Sequence, residues 1–269
     1  MRLVFVSQNG SSNEVEQDLE DILQRGGELY HPGFSIDCAI FGFHANQLKV
    51  LLLKVKNTGR WALPGGFMLK NEDVETAAAR LLKARTGLEH VFLRQFYLFG
   101  DLARNDEAFN RQRLRKENIQ ASAEHWFLQR FLTLGYYALV DFAQAVPRPD
   151  YISEDCAWWD LHEVPALMLD HNRILDKALE TLRLQLTYQP IGYNLLPEKF
   201  TMTELQCLYE TILGRKLDRR NFLRRIQSYG ILRRLDERRD GVAHKPPYLY
   251  RFDLPAYEQA LRQGLNGAW

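Results

Sequence analysis

Apolar and polar positions change period several times along the chain, and each change marks an element. Residues 1–30 read as an N-terminal extension. A short apolar run, Leu3-Val4-Phe5-Val6, gives way to the polar stretch Gln8 to Asn13, then to an acidic, helix-like piece from Glu14 to Arg25 ended by Gly26-Gly27. From Phe34 the texture changes. Ser35 to Phe43 and Leu48 to Val55 are apolar, β-branched runs around His44-Ala45-Asn46-Gln47, which predicts a hairpin. Trp61 to Phe67 is a Pro/Gly-rich turn. Over 72–86, Val74, Ala77, Ala78, Leu81 and Leu82 recur at helical spacing, with Gly87 in the C-cap position. Strand-like runs come next at 91–99, 126–140 and 156–160. The charged segment Leu102 to Glu124 has no strand pattern and reads as an insertion, partly helical or mobile. Asp170 to Leu186 is helical, with Ile174, Ala178, Leu182 and Leu186 on one stripe.

Tyr188-Gln189-Pro190-Ile191-Gly192 breaks that helix and marks the domain boundary. The expected organisation is therefore an α+β domain over 31–187 and a small helix-rich domain over 188–269, with no internal repeats. In the second, Thr201 and Glu204 have capping-box spacing, and Leu205, Leu208, Tyr209 and Ile212 form an apolar stripe. Gly214 to Leu217 is a short turn, and a second helix runs from Asp218 to Tyr229. Ile231 to Leu235 and Tyr248 to Phe252 read as strands around a charged loop. Helix, turn, helix, strand, loop, strand is the order of a winged helix-turn-helix.

Composition narrows the class. Of 269 residues, 46% are hydrophobic and 26% charged, which excludes a disordered chain, a collagen-like repeat and a disulfide-stapled mini-protein. Cys38, Cys156 and Cys207 are scattered, without CxxC or metal-ligand spacing, and fit a reducing compartment. The first apolar run is too short for a signal peptide and no segment reaches a membrane span of about 18 apolar residues. A cytoplasmic protein with no membrane partner is expected. The net charge of +1 hides an asymmetry: residues 215–251 carry twelve Arg or Lys and four Asp or Glu, a local +8 that leaves −7 elsewhere. Such density on one helix and its neighbouring hairpin predicts binding to the phosphates of double-stranded DNA. On the second helix, Phe222, Leu223, Ile226 and Tyr229 form the core side, while Arg220, Asn221 and Arg224 face away and suit base edges. Arg219 and Arg225 flank that face and suit phosphates; Arg238, Arg239, His244 and Lys245 are candidates for wing contacts.

The stretch from Leu63-Pro64-Gly65-Gly66-Phe67 to Leu88 resembles the Nudix box, G-x5-E-x7-R-E-U-x-E-E-x-G-U, of hydrolases that cleave nucleoside diphosphates linked to another moiety. Gly66, Glu72, Arg80, Leu82, Gly87 and Leu88 fill six of its nine fixed positions at the right spacing. The three misses are one kind: Leu81, Ala84 and Arg85 stand where the family's helix carries glutamates. At i, i+3 and i+4 those positions share one face, and carboxylates are needed there because Mg²⁺ takes hard oxygen ligands. The resemblance implies a Nudix fold, an α/β/α sandwich with a mixed sheet, here without catalytic residues, metal or cofactor. Glu72 and Glu75 remain at the other end of the helix, and a residual hydrolase using them is the competing class. His171, beside Asp170 at a helix start, reads as a capping or packing residue.

The degenerate box, Phe200-Thr201-Met202-Thr203-Glu204-Leu205-Gln206, and Leu217-Asp218-Arg219-Arg220-Asn221-Phe222 together resemble the Nudix-related transcriptional regulators. Asp170-His171-Asn172 and Pro190 to Pro197 at the join match as well. The resemblance covers roughly residues 30–255. It implies a homodimer whose Nudix-like domain binds a small-molecule effector and whose winged helix binds an inverted-repeat operator. Some members sense ADP-ribose and control NAD metabolism; arabinose-responsive members sense a sugar and control its use. The balance leans to a sugar, because a diphosphate would profit from the missing metal, with Arg60, Gly66, Glu72 and Arg85 as the candidate effector-binding residues. The alternatives are an ADP-ribose-sensing regulator and a Nudix hydrolase acting on a nucleoside-diphosphate derivative such as ADP-ribose.

Overall fold

The computed structural model describes residues 19–89, 91–102, 104–150, 152–239 and 246–264. The expected hairpin forms as β1 (Tyr30–His44) and β2 (Gln47–Val55), paired from Phe41↔Val50 to His44↔Gln47. Its two-residue turn places Ala45 and Asn46 at φ 49° and 62°, the left-handed pair that matches the strand twist of a tight hairpin. The Pro/Gly-rich stretch is more ordered than a turn. It contributes β3 (Trp61–Ala62) on β2 and β4 (Gly65–Leu69) on β1. The helix α2 (Val74–Thr86) comes next; Asp73 caps it by accepting from Thr76 N at 2.7 Å, and Gly87 ends it. β5 (Phe92–Phe99), β6 (Leu132–Val140) and β7 (Ser153–Asp160) complete a seven-stranded mixed sheet of order β3-β2-β1-β6-β5, with β6 parallel to β1 and β7 on β2.

Alternation along β1 splits the core in two. Ile36, Cys38 and Ile40 pack on the α2 side, whereas Ala39 and Phe41 face the helix α4 (His171–Gln185). Burial and the neighbouring Asp37 push the Cys38 thiol far up, so it is a small apolar filler.

Two expectations need correction. The N-terminal helix does not stop at Gly26-Gly27: α1 runs Leu19–Leu29, with Trp126 packed against both glycines and so close to Gly26 that a side chain there would stand 2.1 Å from its ring. Trp126 Nε1 also donates to Leu23 O at 2.9 Å. The strand expected over 126–140 begins only at Leu132; Trp126–Leu128 is a 3₁₀ turn inside the aromatic group of Tyr30, Phe67, Phe127 and Phe131. The charged segment before it forms α3 (Glu107–Lys116), whose Leu114 joins Ile22 and Leu23 in that same cluster. Residues 1–18 of the expected extension lie outside the described residues.

The C-terminal unit has the expected order. α5 (Met202–Leu213) opens with both hydrogen bonds of the capping box, Glu204 N to Thr201 Oγ1 and Thr201 N to Glu204 Oε2. α6 (Arg219–Ser228) is capped by Asp218, and β9 (Leu232–Arg238) pairs with β10 (Tyr248–Phe252). Two elements were not anticipated: β8 (Phe200–Thr201), the third strand of that sheet, and α7 (Leu254–Gln263). Among the described residues no helix is long and apolar enough to cross a membrane.

The two units share one core. Ile174, Ala178 and Leu182 of α4 are fully buried and belong to a continuous apolar cluster from Phe41 and Tyr137 of the large sheet to Leu208, Ile212 and Phe222 of the winged helix. Removing part of that stripe should weaken both units together. Leu182→Ala is expected to cost about 2–5 kcal/mol, read as a lower urea midpoint shared by probes in each unit; unfolding of one unit alone at lower urea would contradict a common core.

Candidate effector site and DNA-binding face

The box residues that keep the family's spacing act as scaffold. Glu72, with a side chain only 8% exposed, accepts from Leu69 N at 2.7 Å and takes a two-pronged ion pair from Arg80, at 3.0 and 2.6 Å. Arg80 Nη2 also donates to Phe67 O at 3.0 Å, so the pair ties strand β4 to helix α2. Gly66 is small because α2 lies on it: a side chain there would stand 2.6 Å from Leu81 Cδ2.

The helix face that would hold a metal is occupied by other interactions. Leu81 is buried against Gly66 and Ala84 is exposed. Arg85, buried to 6% exposure, turns to Asp150 at 2.9 Å and fastens α2 to the loop before β7. Arg148 N and Val146 N donate to Arg85 O and Thr86 O and close the same seam. This donor set does not fit Mg²⁺, and among the described residues no group of three or more His, Cys, Asp or Glu is placed to hold a metal ion. Of the four candidate effector residues, Glu72 and Arg85 are thus committed to partners within the fold. Arg60 is exposed, over the Phe109 ring at 5.0 Å and 3.9 Å from Asp106, and Gly66 lies in β4 opposite Ile36.

Sequence reasoning missed the buried ionic group on the other side of that loop. Arg104, its side chain 3% exposed, donates to Asp37 Oδ2 at 3.2 Å, to both Asp170 oxygens at 2.8 and 2.9 Å, and to Phe131 O at 3.2 Å. Asp170 is the N-cap of α4, yet its carboxylate makes no capping bond; it serves Arg104 instead. His171 accepts the Leu63 N–H on Nδ1 at 3.0 Å and points Nε2 toward Asp37 at 3.9 Å. Asp37 did carry a signal, as the lone charge in an apolar strand. Arg104 carried none, because one arginine within a charged segment looks like any other.

On the winged helix, Phe222 and Ile226 are buried while Arg219, Arg220, Asn221, Arg224 and Gln227 point outward, the split that the helical spacing predicts. Arg224 Nη2 donates to Asn221 Oδ1 at 3.0 Å, and Arg225 Nε to Tyr229 OH at 2.9 Å. Arg238 lies 4.1 Å over the Tyr248 ring, with Arg234 at 4.7 Å. Arg239 is engaged elsewhere: it pairs with Glu204 at 2.6 Å, tying the strand's end to the capping box. Lys245 and His244 lie outside the described residues.

Comparison with known proteins agrees with this geometry. Residues 33–182 match the NUDIX domain and residues 192–252 the NrtR DNA-binding winged helix domain. The chain belongs to the NrtR family, a NUDIX domain joined to a DNA-binding winged helix. It is 30% identical over 234 residues, 84% of each chain, to the ADPR responsive transcriptional repressor NtrR of Acinetobacter baylyi. It is similar to the crystal structure of Shewanella oneidensis NrtR, at 25% identity and TM-score 0.67 over 88% of this chain and all of that one. A structure of the same Shewanella protein complexed with a 27mer DNA superposes with TM-score 0.66. A shorter likeness, 43% over 61 residues, reaches the ADP-ribose pyrophosphatase of Methanocaldococcus jannaschii and covers 34% of it. None of these relatives supports the expected sugar effector.

The His171 contact makes a pH prediction. Burial is the first cause that holds His171 below its ordinary value of 6.5. Asp37 and Asp170 oppose that shift and Arg104 adds to it. The folded chain therefore keeps His171 neutral where the unfolded chain takes up a proton, and the stability it contributes above about pH 6.5 falls as pH drops below that value, at most about 1.4 kcal/mol per pH unit. Urea midpoints between pH 7.5 and 5.5 should fall in the wild type and fall less steeply in His171→Gln; equal slopes would refute the assignment.

Proposed function

We propose that this chain is an ADP-ribose-responsive transcriptional repressor whose NUDIX domain senses its ligand without hydrolysing it. One observation carries the reading: the helix face that would bear the metal carboxylates is closed by Leu81 and the Arg85–Asp150 pair, while the same domain is built through α4 into a basic winged helix. A hydrolase needs the first feature intact, and a regulator needs the second. The Acinetobacter relative, named as an ADPR responsive repressor, supports ADP-ribose over a sugar. In this reading the effector lies against the stretch 60–66, where the exposed Arg60 turns from Asp106 to a phosphate, and Glu72 and Arg85 hold β4 and α2 in shape. A homodimer would present two α6 helices to an inverted repeat.

Calorimetry with ADP-ribose, and operator binding with and without it, test the sensor. Saturable binding that weakens the DNA complex, with no Mg²⁺-dependent breakdown of ADP-ribose, is expected. Turnover would overturn the non-enzymatic reading, and DNA binding indifferent to ADP-ribose would overturn the effector.

The DNA face has its own test, on an operator recovered by selection from random duplexes. Arg220→Ala and Arg224→Ala should each cost ~1–3 kcal/mol and relax base preference, as removal of a base-reading arginine does. Arg238→Ala should weaken all duplexes alike and lower the salt dependence by about one charge. Wild-type affinity in both α6 variants would mean that another element reads the bases.

A further inference from the structure

The helix α4 is fastened at both ends, and the two fastenings belong to different functions. At its start, the segment 167–171 is zipped to the box loop: Met168 N donates to Trp61 O at 2.8 Å, Leu63 N to His171 Nδ1 at 3.0 Å, and Leu167 bridges to Trp61. At its end, Arg183 Nε donates to Ile212 O of α5 at 2.8 Å, Gln189 Nε2 to Leu261 O of α7 at 2.9 Å, and Tyr257 OH to Pro190 O at 3.1 Å. Between them lie fifteen helical residues, about 22 Å of rod. A helix packed along its whole length moves as a unit, so a shift of its start is delivered to its end.

Arg104 adds a side-chain clamp to that start. Its guanidinium joins β1 through Asp37, the beginning of β6 through Phe131 O, and α4 through Asp170. Resting on the proposed effector function, we infer that Arg104 is a positioning residue that couples the effector loop to the winged helix, by clamping Asp170 at the head of α4. The chemistry suits a joint. Asp170 could cap its helix from the N-cap position and instead spends its carboxylate on Arg104, so the head of α4 is placed by a tertiary ion pair and not by its own local structure. The cluster also holds two carboxylates against one guanidinium beside a neutral histidine, and Asp37 lies directly against Gly65 at the start of β4. An anionic diphosphate against that loop meets a buried group with excess negative charge, and the interaction differs with the position of Arg104. That difference is what a ligand needs in order to shift an equilibrium between two placements of α4.

The test separates coupling from affinity. Operator affinity with and without saturating ADP-ribose, and ADP-ribose affinity of the DNA-free protein, are measured for wild type, Asp170→Asn and Arg104→Lys. The ratio of the two operator affinities is the coupling, about 5–150-fold in typical allosteric proteins. It should collapse to within about twofold of one in Asp170→Asn and be intermediate in Arg104→Lys, while ADP-ribose affinity and effector-free DNA affinity each stay within about threefold. A wild-type ratio in both variants, or a ratio lost only in step with ADP-ribose affinity, would overturn the inference. Hydrogen exchange without effector makes the result independent of the ligand's identity. Asp170→Asn should speed exchange at least about tenfold both at 167–175 and in α5; acceleration confined to 167–175 would show a purely local role. If ADP-ribose leaves wild-type DNA binding unchanged, the proposed effector fails, and the exchange pattern alone still decides the joint.

Discussion

Burial of one face of α4 is the constraint on which the rest of this structure depends. Ile174, Ala178, Leu182 and Leu186 have no exposed surface, and the cluster they join continues from the sheet residues Phe41 and Tyr137 into α5 and α6. Neither unit completes its core without that stripe. The buried hydrogen bond between Tyr137 OH and Gln185, with Arg94 on Gln189, fixes the rotation of the helix against the sheet, because a misplaced partner would leave a polar atom unsatisfied in an apolar region. The orientation of the winged helix is therefore a property of the whole core and not of a linker.

Around that helix, the box has kept its architecture and exchanged its chemistry. Glu72 and Arg80 still clamp β4 to α2, and Gly66 still lets the helix approach. The same helix face now fills with Leu81 and with Arg85 paired to Asp150. A buried Arg–Asp pair is a demanding thing to place, since desolvation of both charges offsets much of their attraction and a lone partner would be strongly destabilising. Its presence where a cation would otherwise be held converts a metal-binding surface into an internal seam. A second buried group, Arg104 with Asp37 and Asp170, does similar work at the opposite side of the loop. Both ion-paired groups thus belong to the scaffold.

Much of this architecture was legible from local pattern. The β1–β2 hairpin, the helices α2 and α4, the capping box of α5 and the polar face of α6 all arise from periods of two and 3.6 residues and from caps that act within four residues of themselves. The degenerate box likewise showed in the chain itself, since Leu81, Ala84 and Arg85 cannot supply carboxylates in any fold. The failure at α1 is long-range. Gly26-Gly27 has the local signature of a helix end, and only the packing of Trp126, a hundred residues away, lets the helix run through it. Arg239 has the local signature of a wing cation, and the fold also sets it against Glu204, 35 residues away.

The sequence by itself determined most of the helices and strands, that positions 81, 84 and 85 of the box carry no carboxylate, and that one helix and hairpin carry the positive charge. Those are matters of residue chemistry and of neighbours a turn apart. Tertiary structure alone decided which charges remain available. Arg85, Arg104 and Arg239 are indistinguishable from Arg220 and Arg224 as letters, yet the first three are held by Asp150, Asp170 and Glu204, whereas the last two stand on the outer face of α6. A side chain's function depends on whether a partner from a distant part of the chain reaches it first, and only folding brings that partner near.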